Sequence, residues 1–242
     1  KTCPEHHILK DSKHIYMKEG CISCGRCAQN CPTGALELCG VEMSVWDVMK
    51  EILKDKHYYD TSSGGVTFSG GECLLWPDFM EEIVKQCKTS GISVIVESAM
   101  NVPWKSVEPL LPFVYSFYID IKHMDSEIHK KYTGYGNTLI LENIQKIAAR
   151  HSSVLIRVPL IPNVNDSLDN LAKTAAFAKN CGGGVWGLEL LKYNILGKSK
   201  YDLAQENYIS FSEETQSDTY MDEVCRRIND HIGESGFAFW VS

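Results

Sequence analysis

The chain has 242 residues, 44% of them hydrophobic, and a formal net charge of −7. This length fits one large domain with a small insert, and the basic residues form no patch of the kind that binds nucleic acid. No apolar run approaches the roughly 18 residues of a membrane-spanning helix and no signal peptide is visible, so nucleic acid and membranes are excluded as expected partners.

The ten cysteines are the most unusual part of the composition. Without a secretory signal they argue against a disulfide framework and favour metal ligation in a reducing cytoplasm. Four of them are closely spaced and a proline follows: Cys21, Cys24, Cys27, Cys31 and Pro32. This spacing is that of bacterial ferredoxins, whereas zinc sites more often use two separated C-x-x-C pairs. The run therefore predicts a [4Fe–4S] cluster, closed by Cys31 or with Cys39 taking part.

The first 40 residues show neither a helical nor a strand period. We expect residues 1–40 to form a cysteine-rich, loop-dominated domain that contains this ferredoxin-like insert, and residues 41–242 to form a larger second domain. That domain is predicted to begin with a helix after Ser44, whose hydroxyl can cap it. The apolar face of this helix is formed by Val45, Val48, Met49, Ile52 and Leu53.

After this helix, short apolar strands alternate with helices. Strands are predicted at 66–68, 93–96, 117–121, 154–160, 185–191 and 237–241. Helices are predicted from Pro77 to a stop at Gly91 and over 107–111, 141–150, 168–179 and 213–232. Continuous apolar strands that alternate with helices are typical of a parallel sheet covered by helices, so the expected fold class is α/β.

Polar and charged residues stand where the predicted strands end. They are the segment Ser69–Glu72 and the residues Glu97, Asp120, Lys122, Arg157 and Asn194. A single one of them would be explained as a solvated strand end. In parallel α/β folds, however, the carboxyl ends of the strands meet at one edge, where ligands bind. The set therefore predicts a ligand site at that edge.

Seven segments, in this order along the chain, resemble the activating enzymes of glycyl radical enzymes, a branch of the radical S-adenosylmethionine (SAM) family. They are Ser69–Glu72, Tyr118–Asp125, Lys131–Gly134, Ile156–Pro159, Ile161–Asp166, Leu188–Leu191 and Leu196–Tyr201. The resemblance covers almost the whole chain. It implies a partial (β/α)6 TIM-like barrel of the radical SAM type with a ferredoxin-like insert, and SAM as a cofactor beside two [4Fe–4S] clusters.

The resemblance also implies roles at the predicted ligand edge. Gly70 and Gly71 leave room for the methionine part of SAM, and Glu72 accepts hydrogen bonds from its ammonium group. Glu97 and Asp120 resemble an acidic pair near the SAM carboxylate, where some family members bind a monovalent cation. The family more often has Asp at the position of Glu97.

The implied site also includes two basic residues, and at two further positions this sequence differs from the usual family residue. Lys122 and Arg157 resemble residues that contact SAM, and salt bridges to the acidic pair are a compatible second role. Asn194 stands where the family usually has His, which keeps a hydrogen-bonding group but removes titration near neutrality. Cys73 stands where Pro usually follows, and we interpret it as a small buried hydrophobe.

The start of the chain departs further from the family. The family holds its catalytic cluster with three thiolates spaced C-x-x-x-C-x-x-C, which leaves one iron open for SAM. Only the last of these has a counterpart, at Cys3, and the other two would lie upstream of Lys1. We therefore expect an N-terminally truncated sequence that lacks the first barrel strand and part of the ligand set for the SAM-binding [4Fe–4S] cluster.

The resemblance implies an activating enzyme for a glycyl radical enzyme. An electron from flavodoxin or ferredoxin, passed on by the cluster at Cys21–Cys31, would cleave SAM to methionine and a 5′-deoxyadenosyl radical. That radical would remove a hydrogen atom from a backbone glycine of the partner enzyme. The cofactors carry this chemistry, so no acid–base residue is predicted. Two alternatives stay open: an electron carrier without SAM chemistry, and an inactive truncated remnant.

Overall fold

The computed structural model describes residues 3–5, 8–11, 13–16, 20–151, 153–197, 201 and 209–241. The strands are β1 (Ile8–Asp11), β2 (Lys13–Tyr16), β3 (Gly65–Phe68), β4 (Ser93–Ser98), β5 (Ser116–Asp120), β6 (Val154–Pro159), β7 (Val185–Leu191) and β8 (Ala238–Phe239). The helices are α1 (Arg26–Gln29), α2 (Val45–Lys54), α3 (Lys56–Ser62), α4 (Pro77–Thr89), α5 (Ser126–Thr133), α6 (Thr138–Ala148), α7 (Leu168–Asn180) and α8 (Asp218–Ile232). Short 3-10 turns cover Cys73–Leu75, Trp104–Ser106, Glu108–Leu110 and Ile195–Gly197.

A six-stranded sheet forms the centre of the fold. Its order is β3-β4-β5-β6-β7-β8, and every neighbouring pair is parallel. Each strand lies beside the next strand of the sequence, because a helical segment returns the chain to the starting edge before the next strand begins. The expected parallel α/β sheet is therefore confirmed, and its order is that of a partial TIM-like barrel.

One face of this sheet is apolar and covered by helices. Alternate residues of the four central strands are at most 1% exposed: Val94, Val96, Phe117, Ile119, Ile156, Val158, Leu188 and Leu190. They belong to one hydrophobic core together with the inward faces of the covering helices, which include Ile83, Ile144, Leu171 and Ile228. Burial of these side chains, not local propensity, supplies most of the stability of such helices.

Side-chain caps mark where several helices begin. Asp125 accepts hydrogen bonds from the amides of Glu127 and Ile128 at the start of α5. Ser167 and Ser217 each accept one from an amide in the first turns of α7 and α8. Caps of this kind satisfy amides that have no partner inside the helix. The α8 cap also explains why this helix begins at Asp218 and not at 213, where the prediction placed it.

The structure differs from the predicted elements mainly near the start of the chain. The segment expected to be loop contains the antiparallel hairpin of β1 and β2 and the short helix α1. Helices α3 and α5 were not predicted. In α2, Met49 and Ile52 are buried, whereas Leu53, predicted on the apolar face, is 45% exposed.

Two further predictions are wrong. The helix expected at 107–111 is a pair of 3-10 turns on either side of Val107. Pro109 has no N–H to donate to the Lys105 carbonyl, so one continuous α-helix cannot run through both turns. The apolar sequence at 66–68 predicts a buried strand, but the residues of β3 are exposed or half-buried. Among the described residues, β3 pairs with β4 alone and is an edge strand.

The chain divides into two compact units, Lys1–Ser44 with Leu196–Ile209, and Val45–Ile195 with Ser210–Ser242. The first contains β1, β2 and α1, and the second contains the whole parallel sheet. Across the described ranges, no helix is both long enough and apolar enough to cross a bilayer.

Candidate functional site

The face of the sheet opposite the helices carries charged residues. Glu97 of β4 lies beside Tyr118 of β5, and Asp120, Arg157 and Glu189 are neighbours across β5, β6 and β7. Because side chains alternate between the two faces of a strand, these five share the face opposite the core. All five remain partly accessible. The structure thus brings together three residues of the predicted site, Glu97, Asp120 and Arg157.

Arg157 lies between two carboxylates. Its Nη1 donates a hydrogen bond to Glu97 Oε1 at 2.7 Å, and its Nε lies 3.0 Å from Glu189 Oε2. The contact with Glu189 is an ion pair and not a well-aligned hydrogen bond, since Nε–H points to no acceptor. The guanidinium also lies over the Tyr118 ring, 5.7 Å from its centroid. Three contacts therefore fix the side chain, and the salt bridge to Glu97 agrees with the second role proposed for it.

Lys122 pairs with the other predicted carboxylate. Its Nζ lies 2.6 Å from Asp120 Oδ2, and both side chains are about one-third exposed, at 32% and 31%. Lys122 follows the last residue of β5 by two positions, so its side chain returns over the strand end to reach Asp120. The two acidic and two basic residues predicted at this edge are thus present as two ion pairs, Glu97–Arg157 and Asp120–Lys122.

The glycines of the Ser69–Glu72 segment lie directly after β3. Gly70 has a φ of +105°, which side chains with a Cβ rarely adopt. Among the described residues, a Cβ placed on Gly70 or Gly71 would meet no heavy atom within 4 Å. Glycine at 70 therefore serves the backbone turn, and the turn leaves open space beside it.

The carboxylate of Glu72 joins the ends of β3 and β4. It accepts hydrogen bonds from the Leu74 amide at 3.2 Å and from the Ala99 amide at 3.1 Å, and the Ser98 hydroxyl lies 2.9 Å from both of its oxygens. A hydroxyl has one hydrogen and can donate to one oxygen at a time. At least one acceptor position of the carboxylate therefore stays available for a further donor.

Cys73 lies beside this carboxylate, but its thiol is expected to be unreactive. Burial, together with the nearby Glu72 charge, raises the pKa of its thiol to about 12. Its Sγ lies 3.9 Å from the Phe68 carbonyl oxygen and 3.8 Å from that of Glu97. A thiol that stays protonated is a poor nucleophile and a poor metal ligand. Cys73 is half-buried, whereas the sequence predicted a buried side chain.

Asn194, the last predicted member of the edge set, is an exposed residue after β7. The segment that carries it is tied to the start of α8: the Tyr193 amide donates to Gln216 Oε1 at 2.6 Å, and Lys192 forms an ion pair with Asp218. Residues 198–200 of the predicted Leu196–Tyr201 segment lie outside the described residues.

The cysteine run folds as a turn around α1. Gly25, with a φ of +71°, precedes the helix, and the Cys31 amide bonds to the Ala28 carbonyl at 3.1 Å. Cys21, Cys27 and Cys31 are half-buried, Cys24 is exposed and none of the four forms a disulfide. The Thr33 hydroxyl and nearby backbone amides lower the pKa of Cys31 to about 7, so the thiolate form that binds iron is favoured there.

The chemistry of this donor set fits an iron–sulfur cluster, whereas its arrangement does not show one. In the described parts of the chain, no three side chains of His, Cys, Asp or Glu lie close enough together to hold a metal ion. Cys3, the predicted ligand of the SAM-binding cluster, is half-buried and forms no disulfide. The ligand assignments of both clusters stay predictions.

Two residues that contribute to the edge were not singled out from the sequence. Glu189 pairs with Arg157, and Ser98 with Glu72. Glu189 could have been found, because it is the charged residue of an otherwise apolar strand. Ser98 had a weaker signal, since a hydroxyl at a strand end is common and its partner lies in a different loop.

Comparisons with known proteins identify the family of this chain. The sequence model of the Radical SAM superfamily matches residues 23–175. The chain is 43% identical over 205 residues to the (2S)-3-sulfopropanediol dehydratase activating enzyme of Klebsiella oxytoca, which covers 83% of this chain and 65% of that protein. It is 35% identical to the indoleacetate decarboxylase activating enzyme of Tractidigestivibacter scatoligenes, with 90% of this chain and 81% of that protein covered.

Solved structures give the same result. A domain of a pyruvate-formate lyase-activating enzyme from Bacteroides vulgatus is 28% identical, with a TM-score of 0.60 that covers 74% of this chain and 99% of that one. Streptococcus suis SuiB bound to its precursor peptide shares the fold alone, with a TM-score of 0.67 at 11% identity over 86% of this chain and 44% of that one. This chain belongs to the radical SAM superfamily and, within it, to the activating enzymes of glycyl radical enzymes.

Proposed function

We propose that this protein binds SAM at the carboxyl edge of the sheet and uses it to activate a glycyl radical enzyme. A [4Fe–4S] cluster held in part by Cys3 would supply the electron for reductive cleavage of SAM to methionine and a 5′-deoxyadenosyl radical, and a hydrogen atom would be taken from a backbone glycine of the partner. The chain spans 65% of the length of its sulfopropanediol dehydratase relative, so activity and partner are inferred for the whole protein.

The charge of the open edge is the observation that carries the proposal. Four carboxylates, those of Glu72, Glu97, Asp120 and Glu189, face two cations, Lys122 and Arg157. The edge therefore has a formal excess of two negative charges. SAM carries a sulfonium, an ammonium and one carboxylate, and is a net cation near neutral pH. An electron carrier without SAM chemistry would have no need of this arrangement.

We assign the parts of SAM to residues by charge and space. The ammonium group pairs with Glu72, whose carboxylate keeps an open acceptor position, and the methionine chain runs over Gly70 and Gly71. Lys122 and Arg157 are the cations within reach of the SAM carboxylate. Asn194 lines the same edge as a neutral hydrogen-bonding residue. Each cation is shared with a carboxylate of the chain, so binding requires exchange of ion-pair partners.

The iron–sulfur groups are assigned to the cysteines near the start. Cys3 would be one of three thiolate ligands of the SAM-binding cluster. A second [4Fe–4S] cluster would be held by Cys21, Cys24, Cys27 and Cys31 in a ferredoxin-like domain of residues 1–40. Residues 41–242 would form the barrel domain. Flavodoxin or ferredoxin would supply the electron. Ten cysteines, none of them in a disulfide, favour a reducing cytoplasm as the location.

The decisive experiment is SAM binding and cleavage by the anaerobically reconstituted full-length protein. We expect saturable SAM binding in calorimetry, and equal amounts of methionine and 5′-deoxyadenosine when dithionite is added. A glycyl radical signal should appear in the partner enzyme by electron paramagnetic resonance. Reversible cluster reduction without any SAM binding would identify an electron carrier and contradict the proposal.

The second cluster has its own test. Replacement of Cys24 by Ala should lower bound iron by about four atoms per chain, because a cubane with three thiolates is held less firmly than one with four. Cys181→Ala is the matched control: burial raises the pKa of Cys181 to about 11, and the residue lies outside the run. Equal iron content in the two variants would remove the cysteine run from cluster binding.

A further inference from the structure

Asn165 lies in the loop between β6 and α7 and its side chain is completely buried, with 0% exposure. The loop folds back on itself because the Val164 and Asn165 amides bond to the Ile161 carbonyl, at 3.0 and 3.3 Å. Asn163 adopts a positive φ of 62°, a conformation that asparagine tolerates better than most residues. This turn directs the Asn165 amide back under the ends of the strands.

Every polar group of the Asn165 side chain is used. Nδ2 donates to the Lys122 carbonyl at 2.8 Å and to the Pro159 carbonyl at 2.9 Å, and Oδ1 accepts from the Ile161 amide at 2.7 Å. The Asn165 carbonyl in turn accepts from Asn170 Nδ2 at 2.8 Å. An amide with two donors and one acceptor in these directions has no isosteric substitute among the other side chains.

The two carbonyls held by Asn165 occupy equivalent places on neighbouring strands. Asp120 and Arg157 are register partners of β5 and β6, Lys122 follows Asp120 by two residues, and Pro159 follows Arg157 by two. The last backbone bond between the strands runs from the Ile121 amide to the Arg157 carbonyl at 2.9 Å. Beyond that bond, the side chain of Asn165 takes the place of the backbone ladder.

This bridge fixes the backbone near Lys122 and Arg157, the two cationic residues of the edge. Lys122 reaches Asp120 only by folding back over the strand end, so the position of its backbone sets the position of its ammonium group. The residues that follow Lys122 after β5 are also held by asparagine side chains. Asn170 accepts from the Met124 amide at 3.0 Å, and Asn137 donates to the His123 and Met124 carbonyls at 3.0 and 2.8 Å.

We propose that Asn165 is a positioning residue for SAM: by bridging the Lys122 and Pro159 carbonyls it holds Lys122 and Asp120 at the distance from Arg157 that the SAM carboxylate requires. This assignment rests on the proposed function. Asn165 itself contacts no SAM atom. It acts on affinity for SAM and not on the chemical step, because the radical chemistry follows binding.

The test compares two isosteric substitutions. Asn165→Asp keeps the acceptor for the Ile161 amide but turns an oxygen toward two carbonyl oxygens. Asn229→Asp makes the same change in α8, where Asn229 bonds to both the carbonyl and the amide of Ala238, each at 2.8 Å, next to the far edge strand β8. Each variant loses side-chain donation to backbone carbonyls, two bonds at the buried Asn165 and one at the half-buried Asn229, but only the first loses it beside Lys122.

Calorimetry with anaerobically reconstituted protein gives the Kd for SAM, and 5′-deoxyadenosine formation at saturating SAM gives kcat. For Asn165→Asp we expect a Kd raised about tenfold, with kcat per folded protein within about twofold of wild type. For Asn229→Asp, Kd should stay within about twofold, even where its melting temperature falls equally. A purely structural Asn165 would lower the folded fraction and leave the Kd unchanged.

Two outcomes would overturn the assignment, and they can be told apart. Wild type that binds SAM, with equal Kd in both variants, would remove Asn165 as a positioning residue and leave the proposed function intact. Wild type that binds no SAM would remove both. Where Asn165→Asp fails to fold, Asn170→Asp replaces it, since this variant keeps the Met124 contact and loses the bond to the Asn165 carbonyl. Its expected Kd is raised about threefold, and an unchanged Kd counts against the assignment.

Discussion

The two faces of the parallel sheet differ although they are built from the same strands. In β5, Phe117 and Ile119 are fully buried under the helices, whereas Tyr118 and Asp120 between and after them face the open side. In β6, Ile156 and Val158 are buried and Arg157 between them pairs with two carboxylates. One residue along the chain separates a position that sustains the fold from one that can bind a ligand.

This difference teaches that stability and ligand binding should be separable by substitution. A change on the covered face alters the packing of the core and reaches the open face only through the backbone. A change on the open face removes a charge or a hydrogen bond that water can partly replace. The following three predictions test that separation, from the largest expected effect to the smallest.

Phe117→Ala should have the largest effect, and on stability alone. The ring is fully buried and meets His151 edge to face, with 5.2 Å between ring centroids. Its removal should lower the free energy of unfolding by about 3–5 kcal/mol, since a cavity is left behind. Denaturant unfolding measures this, with Tyr115→Ala, a change at a side chain that is 64% exposed, as the control. A change in the Kd for SAM of the folded fraction would break the separation.

Glu72→Ala should act on the open edge. We expect SAM affinity to fall by about 1.5–3 kcal/mol, that is roughly tenfold to more than a hundredfold, because a charge-assisted hydrogen bond is lost. Glu82→Ala is the matched control, since Glu82 is exposed on α4 and bonds to Gln86 of its own helix. Calorimetry compares the two. If both variants bound SAM as wild type does, Glu72 would not belong to the site.

Replacement of Cys73 by Ala should have the smallest effect of the three on stability at neutral pH. Its thiol pKa is raised from 9.0 to about 12, by burial first and by the Glu72 charge second. The folded state therefore holds this proton more tightly than the unfolded state, so its contribution to stability is complete below pH 9 and is lost as the pH rises from about 9 toward 12. The free energy of unfolding should therefore fall more steeply above pH 9 for wild type than for Cys73→Ala. Parallel pH profiles would show that the thiol ionises freely.

The sequence predicted the covered face well because burial leaves a strong pattern. The strand at 185–191 has the predicted bounds, and α7 ends one residue beyond its predicted limit. Both are continuous or periodic apolar segments with polar flanks. The helix α3 carries no such pattern, and none of its residues is fully buried.

The sequence predicted part of the open edge, but it missed Glu189 and Ser98 and did not show which carboxylate pairs with which cation. Charged residues at strand ends identified Glu97, Asp120 and Arg157. Which carboxylate pairs with which cation depends on strand register, which brings Arg157 beside Glu189 and cannot be read from spacing along the chain. Asn165 illustrates the same limit, because its two acceptors are backbone carbonyls and leave no trace in residue type. The assignment to SAM stays a prediction for every residue of the predicted site: Gly70, Gly71, Glu72, Glu97, Asp120, Lys122, Arg157 and Asn194.

The carboxylate of Glu72 has a consequence for motion at the edge of the sheet. It is carried by the chain just after β3, the strand with one paired side among the described residues, yet it is bonded to Ser98 and Ala99 after β4. Fluctuations of an edge strand are ordinarily independent of its neighbour's loop. Here the Leu74 amide bonds to Oε1 and the Ala99 amide to Oε2 of the same carboxylate, so separating the two loops would cost the bonds that Glu72 makes to Ser98 and Ala99.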